Sequence, residues 1–372
     1  MKFQVIAGDS DTGARVGHLE TPHGTVTTPV FMPVATRGAI RALSIRDIEE
    51  IGFEIVLSNT YHLYIRPGME VIEAEGGLHR FMHYPGTILT DSGGYQVFSL
   101  SNLCTVHEAG VEFRSHLDGS AHFFSPEKVL DLQRIIGSDI MMVLDHCVPY
   151  PSTREHAEAA VNRTVSWARS SIEYWRRAFD SERQALFAIL QGSVFDDLRV
   201  SCAERLVEMD FPGYAIGGLS VGEPAELYRE MTDISLQHLP DDKPRYMMGV
   251  GSPLEILFAV SRGVDMFDCV MPTRIARNGT LYTSRGRVNI KSSRYASDSA
   301  PLDDRCDCYV CRSFSRSYLR HIFKVGEIAS LIYNSYHNLF FMRSFMAEIQ
   351  ESIRAGRFGE VYRKYESIYG NE

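Results

Sequence analysis

Eight short apolar runs, each closing on small or polar residues, govern what this chain can fold into. They are VFMPVAT (30–36), EIVLSNT (54–60), TILTDSGG (87–94), DIMMVLDH (139–146), LFAILQGS (186–193), YAIGGLSVG (214–222), YMMGVGS (246–252) and MFDCVMPTR (266–274). Apolar runs of this length without polar alternation describe strands buried on both faces. Helix-like segments lie between most of them. TREHAEAAVNRTVSWARSSIEYWRRAF (153–179) is long and amphipathic. Ser252-Pro253-Leu254-Glu255 carries a cap serine, a proline at the first helical position and a capping-box glutamate. Strand and helix alternating eight times predict an α/β fold, a (β/α)8 TIM barrel.

Two stretches break the rhythm. Residues 101–125 predict an inserted β-hairpin with Asp118-Gly119 as its turn. After the eighth run the chain continues through residues 275–340, and a helical stretch over roughly 339–368 closes it. The expected division is a barrel core with the site over residues 1–275, a basic, metal-binding subdomain over 276–338, and a C-terminal helix packing on the barrel over 339–372.

A chain of 372 residues with 44% apolar content can bury a large core, which excludes a disordered protein. The first twenty residues lack a long apolar segment, and no apolar run reaches the ~18 residues of a membrane span. A soluble, cytoplasmic protein without a membrane partner is therefore expected. Net charge is −9, yet six cations and no acid fall between residues 274 and 294: Arg274, Arg277, Arg285, Arg287, Lys291 and Arg294. An acidic protein with one basic strip can hold a polyanion locally; the alternative is a solvated basic loop.

The seven cysteines are odd in number, and three crowd into CDCYVC (306–311), so this is not a disulfide framework. Cys306, Cys308 and Cys311 need a fourth ligand to close a tetrahedral zinc site. His321 and His337 both follow on helix-like sequence, and spacing does not decide between them. A closed site of three thiolates and one imidazole has no position for water, so its role is structural. Of the scattered cysteines, Cys202 reads as core, while Cys147 and Cys269 flank candidate site residues and shape a pocket.

Catalytic groups of such a barrel project from the C-terminal strand ends. Those ends supply Asn59, Asp91, Asp145, Gln191, Gly217-Gly218, Gly249 and Asp268. Three carboxylates at one mouth repel, which raises at least one pKa. A pair of them can act as nucleophile and acid/base at an anomeric carbon. Asp145 beside Gln191 suits the donor edge of a purine-like base. The glycines of GGLSVG admit a flat ligand, and Tyr95 and Met248 could sandwich it. The pattern is that of a glycosyl-transfer site that reads a base.

At these residues the sequence resembles the bacterial tRNA-guanine transglycosylases along nearly its whole length. The matching blocks are NTYHL (59–63), YIRPG (64–68), ILTDSGGYQVFSL (88–100), LDHCVPYP (144–151), LQGSVF (190–195), GYAIGGLSVGE (213–223), MGVGSP (248–253), GVDMFDCVMPTR (263–274) and CDCYVC (306–311). The resemblance implies an enzyme of queuosine biosynthesis. It would exchange the wobble guanine of tRNAs with G-U-N anticodons (those for Asp, Asn, His and Tyr) through a covalent Asp–ribose intermediate. The implied incoming base is 7-aminomethyl-7-deazaguanine (preQ1), with queuine as the alternative. By motif, Asp268 would be the nucleophile and Asp91 the general acid/base. Asp145, Gln191, Gly218 and the Leu219 backbone would read the base, with Tyr95 and Met248 stacking on it. Val34, Leu57 and Val270 would line the ribose. Arg274 and Arg277 would hold the anticodon loop in its U-G-U context, and Arg285, Arg287 and Lys291 of the strip would meet phosphates. A short single-stranded loop with splayed bases needs only such a local strip.

The resemblance also selects His337, of the pair His337-Asn338, as the fourth ligand of one structural Zn2+ per chain, and it implies a homodimer. It places Val221 and Cys147 against the 7-substituent of the base. In eukaryotic relatives that take queuine, the position of Val221 is glycine. Glu223 would support a carbonyl in the Leu219 region that accepts the aminomethyl group. One residue departs from the pattern: His146 stands where the bacterial family has Glu. An imidazole there either titrates near neutral pH or serves as a neutral structural ring. Two other classes compete. A zinc-dependent hydrolase needs His and carboxylate ligands around an open metal position at the strand ends, where only His62 and His146 lie nearby. A non-catalytic tRNA-binding subunit would have lost Asp91 or Asp268, and both stand in intact motifs.

Overall fold

A computed structural model describes residues 1–99 and 104–370. Its centre is a parallel barrel. All eight apolar runs form barrel strands, and the first forms two, Val30–Met32 and Val34–Ala35. Val30–Met32 pairs with Met266–Asp268 at one end of the strand order, and Val34–Ala35 pairs with Ile55–Asn59 at the other. One run thus closes the sheet on both sides. Pro33 lies at the break, where a residue without an N–H interrupts the ladder. Its carbonyl still accepts from Leu57 N at 3.0 Å.

The remaining staves are Thr87–Asp91, Ile140–Met142, Ala185–Leu190, Gly213–Ile216 and Arg245–Met247, each parallel to its neighbours. Every residue of Ile55–Asn59, Ala185–Leu190 and Gly213–Ile216 is buried, as strands covered on both faces require. Asn59 lies opposite Asp91 in the register, so both arrive at the mouth together. The amphipathic segment becomes the helix Arg154–Ala178, capped by Thr153. The helix Pro253–Ser261 begins as expected, with Ser252 at the cap and Pro253 first, but the cap makes no side-chain hydrogen bond, so the expected capping box does not form.

The inserted hairpin is a three-stranded antiparallel sheet, Cys104–His107, Gly110–Arg114 and Ala121–Phe124. Its second turn contains Asp118-Gly119 as expected. Residues 101–103 of that stretch lie outside the described residues. The closing helical stretch is two helices, Ile328–Arg354 and Phe358–Tyr369. The first starts before the expected residue 339, so His337 sits within it.

The barrel pattern does not anticipate a second antiparallel sheet, Lys2–Gly8, Arg15–Thr21 and Gly24–Thr28. Its anchors explain its place. Arg15 pairs with Asp265 at 2.7 Å, His23 Nδ1 meets Asp139 at 2.7 Å, Thr27 N donates to Glu54 at 2.7 Å, and Thr21 meets Thr87 at 2.8 Å. Each partner sits at the start of a barrel strand, so this sheet covers the N-terminal end and leaves the C-terminal mouth open. Among the described residues, no helix is long and apolar enough to cross a membrane.

Candidate active site

The mouth holds a cavity of about 350 Å³. Val34, Leu57, Asp91, Tyr95, Asp145, Cys147, Gln191, Gly218, Leu219, Val221, Met248, Asp268, Val270 and Arg274 line it together. They come from the ends of eight barrel strands and the turns beyond them.

Asp91 ends its strand and is held from three sides. Thr60 N and Gly93 N donate to Oδ1 at 3.2 and 3.0 Å, and Asn59 Nδ2 donates to Oδ2. Asn59 does two tasks, since its Oδ1 also caps the next helix by accepting from His62 N at 2.9 Å. Burial pushes the Asp91 carboxyl up to about 7, and the nearby charge of Asp268 adds to the rise. A carboxyl with that value can both give and take a proton at neutral pH.

Asp268 accepts from Tyr246 Oη at 2.5 Å and from Gly249 N at 2.8 Å. Both bonds fall on Oδ1. Among the described residues nothing donates to Oδ2, so one carboxylate oxygen is left for a ligand. Burial raises this carboxyl as well, and the two donors counter it. Tyr246 was not singled out in the sequence, because a tyrosine inside an apolar strand reads as core.

Asp145 and Gln191 form the expected pair. Gln191 Nε2 donates to Asp145 Oδ2 at 2.7 Å, and Ser92 Oγ donates to Oδ1 at 3.3 Å. Burial pushes the Asp145 carboxyl up to about 6. Gln191 Oε1 is buried and has no hydrogen-bond partner among the described residues. Tyr95 is 58% exposed and forms an open platform beside the pair. Burial pushes the thiols of Cys147 and Cys269 up to about 12, so both are packing groups rather than nucleophiles. Cys202 is buried in the core.

Of the residues expected beside the base and the anticodon loop, Glu223 and Arg277 do not line the cavity. Glu223 lies behind it: its carboxylate accepts from Val221 N at 2.9 Å and from Ser220 N, and so pins the loop. Arg277 is half-buried nearby, with Nη1 unpartnered among the described residues. Burial and the charges of Arg41 and Arg274 lower its pKa, and among the described residues no ion pair with an acid neutralises these three arginines. Arg41 carries no sequence signal of its own.

His146 points away from the cavity. Its Nδ1 lies 2.9 Å from Arg163 Nη1, and its ring packs near His156 and Trp167. Burial and the charges of Arg163 and His156 push it down to about 4, so the ring is neutral at physiological pH. The structural reading of this residue is the one its surroundings favour.

Farther along the basic strip, Arg285, Arg287 and Arg294 line a shallow cavity of about 340 Å³ together with Asp303, Asp304 and Arg316. Arg285 is paired with Asp304 at 2.6 Å, and Lys291 lies 5.6 Å over the ring of Phe323.

The thiols converge on one histidine. His337 Nδ1 lies 3.4, 3.5 and 3.9 Å from the sulfurs of Cys311, Cys308 and Cys306. Those are close to the edges of a tetrahedron built on bonds of about 2.3 Å to sulfur and 2.0 Å to nitrogen. His337 Nε2 meets the Tyr282 carbonyl at 2.6 Å, which fixes Nδ1 as the ligand atom. His321 is exposed on another helix and takes no part. The four side chains form a group able to hold a metal ion. None of them lines the mouth cavity. The other such group among the described residues, His23, His79 and Asp139, sits at the N-terminal end of the barrel. There the two rings stack 3.6 Å apart, and Asp139 is already engaged by His23 and Ile88 N, a staple between the N-terminal antiparallel sheet and the barrel.

The family model described as queuine tRNA-ribosyltransferase matches residues 9–371. A queuine tRNA-ribosyltransferase of Thermoanaerobacter sp. (strain X514) is 52% identical over 370 residues, covering all of this chain and 98% of the relative. One from Caldanaerobacter subterraneus is 53% identical over 372 residues with the same coverage. One from Pelotomaculum thermopropionicum is 54% identical over 370 residues, covering 98% of this chain and 99% of the relative.

Proposed function

Because the chain belongs to the queuine tRNA-ribosyltransferase family, the tRNA-guanine transglycosylases, we propose that it exchanges the wobble guanine of G-U-N tRNAs for preQ1 by double displacement. The observation that carries this reading is the facing of Asp91 and Asp268 across one cavity that also holds the Asp145–Gln191 pair. Asp268 Oδ2 attacks the ribose anomeric carbon as the bond to guanine breaks. Asp91 gives its proton to the departing base. The new base then loses its N9 proton to Asp91 and displaces Asp268 from the sugar, which regenerates both carboxyls. Tyr246 and Gly249 N hold the nucleophile in line.

Asp145 accepts the donors of the base edge, Gln191 and Gly218 N face its carbonyl oxygen, and Tyr95 and Met248 stack on its faces. Val34, Leu57 and Val270 take the ribose. Arg274, Arg277 and Arg41 meet the anticodon loop in its U-G-U context, and Arg285, Arg287 and Lys291 meet phosphates beyond it. Cys306, Cys308, Cys311 and His337 would hold Zn2+, the ion that suits a closed thiolate–imidazole set. It would tie the subdomain over residues 276–338 to the final helices and thereby to the barrel over 1–275. The homodimer reading is supported by an exposed apolar surface on that subdomain, including Tyr309, Tyr318, Val325, Ile328 and Ile332. The working compartment is the cytoplasm.

The test is a denaturing gel with tRNA. Wild type forms an RNA adduct, and Asp268→Asn forms none while losing exchange of labelled guanine by roughly 10⁴-fold or more. An adduct that persists in Asp268→Asn and vanishes in Asp91→Asn would reverse the two roles.

A further inference from the structure

Arg199 is the one arginine with no exposed surface among the largest buried side chains. It lies on the helix Asp196–Val207, directly behind the base-reading turns. Its Nε donates to the Ser193 carbonyl at 2.7 Å, its Nη1 to Ser235 Oγ at 3.3 Å, and its Nη2 to the Gly217 carbonyl at 3.1 Å. None of these partners is a carboxylate. A buried charge without a contacting counter-charge destabilises a fold unless it is fully hydrogen-bonded. Burial pushes this guanidinium down to about 10, which still leaves it charged at neutral pH. A neutral residue would satisfy the packing with less penalty, so the charge calls for an explanation at the turns it touches.

Those turns carry Gln191 and Gly218. The strand Gly213–Ile216 ends with Gly217 N bonded to the Leu190 carbonyl at 2.9 Å, and Gly218 then turns left-handed at φ +65°. A side chain at Gly217 would sit 2.8 Å from Gln191 Nε2, and one at Gly218 would collide with Gln191 Oε1. Glycine is therefore required at both, and a Gly–Gly peptide has little intrinsic preference for the direction of its plane. Arg199 supplies that direction. In a trans peptide the C=O and N–H point opposite ways. With the Gly217 carbonyl held by the guanidinium behind the pocket, the Gly218 N–H is aimed forward, where it lies against the Cys147 sulfur that lines the cavity. A cation on the carbonyl side also polarises the peptide and strengthens its N–H as a donor.

We propose that Arg199 is a positioning residue that aims the Gly218 amide at the 6-oxo group of the bound base, and so sets the preference of the pocket for 6-oxopurines. This rests on the base-exchange reading above. It goes further by assigning the preference to a side chain that never touches the base.

The test measures dissociation constants of guanine and 6-thioguanine for the full-length protein and for Arg199→Met and Arg199→Lys. The two bases differ by one acceptor atom, so a ratio of ratios isolates the coupling to Arg199. Wild type is expected to favour guanine by about ten-fold, the value of one good hydrogen bond. Arg199→Met should narrow that preference to within about two-fold, while 6-thioguanine affinity changes little. Arg199→Lys, which keeps the charge but not the fork, should fall between them, and it decides the matter if Arg199→Met does not fold. Equal weakening of both bases, or an unchanged ratio in Arg199→Lys and Arg199→Met, would overturn the proposal. If wild type bound neither base, the base-exchange reading would fall and the proposal with it, an outcome distinct from binding without discrimination by Arg199.

Discussion

The barrel mouth and the thiol cluster both gather ionisable side chains in buried surroundings, yet the chain treats them in opposite ways. At the mouth, Asp91, Asp145 and Asp268 are held by neutral donors, and among the described residues none of them makes an ion pair. Their pKa values rise, and among the described residues no hydrogen bond reaches Asp268 Oδ2 or Gln191 Oε1. At the cluster the four donors converge on each other, and the last imidazole nitrogen is tied to a backbone carbonyl. Nothing remains there for a substrate. Buried charge marks chemistry where unsatisfied atoms face a cavity, and marks structure where they face one another.

The largest effect that could break this contrast is on the cluster side. Cys308→Ala should remove the bound metal and destabilise the protein by several kcal/mol, because binding energy in a closed site is folding energy. Elemental analysis and thermal unfolding measure both. Guanine affinity of the fraction that remains folded should be near wild type, since the cluster does not line the mouth. Wild-type stability in the metal-free variant would mean that the four side chains do not hold the fold together.

A second measurement sharpens the mouth side. Burial raises the Asp145 carboxyl from 3.8 to about 6 in the folded state, so the folded protein binds this proton more tightly than the unfolded chain. The stability this provides is complete below about pH 4 and is lost as pH climbs through about 6. Asp145→Asn abolishes that loss, and Gln191 can turn its unpartnered Oε1 toward the new amide. The variant should gain up to about 3 kcal/mol over wild type at pH 8 and nothing at pH 4, while losing guanine affinity. Denaturant unfolding at the two pH values tests it. Parallel pH profiles would show that the site is more hydrated than its geometry implies.

The two regions also differ in how far the sequence reveals them. The barrel was legible because strands buried on both faces leave continuous apolar runs, and the strand-end carboxylates follow from counting to the end of each run. The three thiols were legible from spacing, which left His321 and His337 both open as the fourth ligand, and the resemblance selected His337; it lies on a helix that begins eleven residues before the expected start. The sheet over residues 2–28 escaped because its first strand is mostly exposed and offers no apolar run. Tyr246 and Arg199 escaped for the opposite reason: one hides among core residues, and the other is a charge on a helix whose pattern gives no hint that it turns inward. Arg41 joins Arg274 and Arg277 only through the fold.

Between the two regions lies the basic strip, and its effect should be smaller. Arg285 already has Asp304 as a partner, and Lys291 rests over Phe323, so each phosphate contact must compete with an existing one. Alanine at Arg285, Arg287 and Lys291 should weaken tRNA binding and lower the slope of log affinity against log salt by roughly one per lost contact. Arg277→Ala, which removes a cation beside the mouth whose Nη1 has no partner among the described residues, should cost more per residue. Equal losses would mean that the strip and the mouth share the loop evenly, and an unchanged slope would mean that the strip faces solvent.

The finest distinction concerns one wall of the mouth. Val221 lines the cavity, and its backbone is fixed: Val221 N donates to Glu223 at 2.9 Å, and Ser220 N donates to the same carboxylate. The side chain is branched at Cβ and stiff, so neither backbone nor rotamer lets it swing aside. A base with a small aminomethyl group should fit beneath it, and the bulkier queuine should not. Val221→Gly opens that wall but also loosens the loop, because glycine lowers the barrier to other backbone conformations. Val221→Ala separates the two effects, since it shortens the side chain and keeps the backbone restrained. Competition between preQ1 and queuine for incorporation into tRNA should shift toward queuine by roughly ten-fold in Val221→Gly, a change of the size expected for a few carbons in a pocket, and by less in Val221→Ala. If wild type already takes both bases equally, the wall lies elsewhere. Cys147, which lines the same cavity and is held by its own burial rather than by a pinned loop, is then the residue to shorten next.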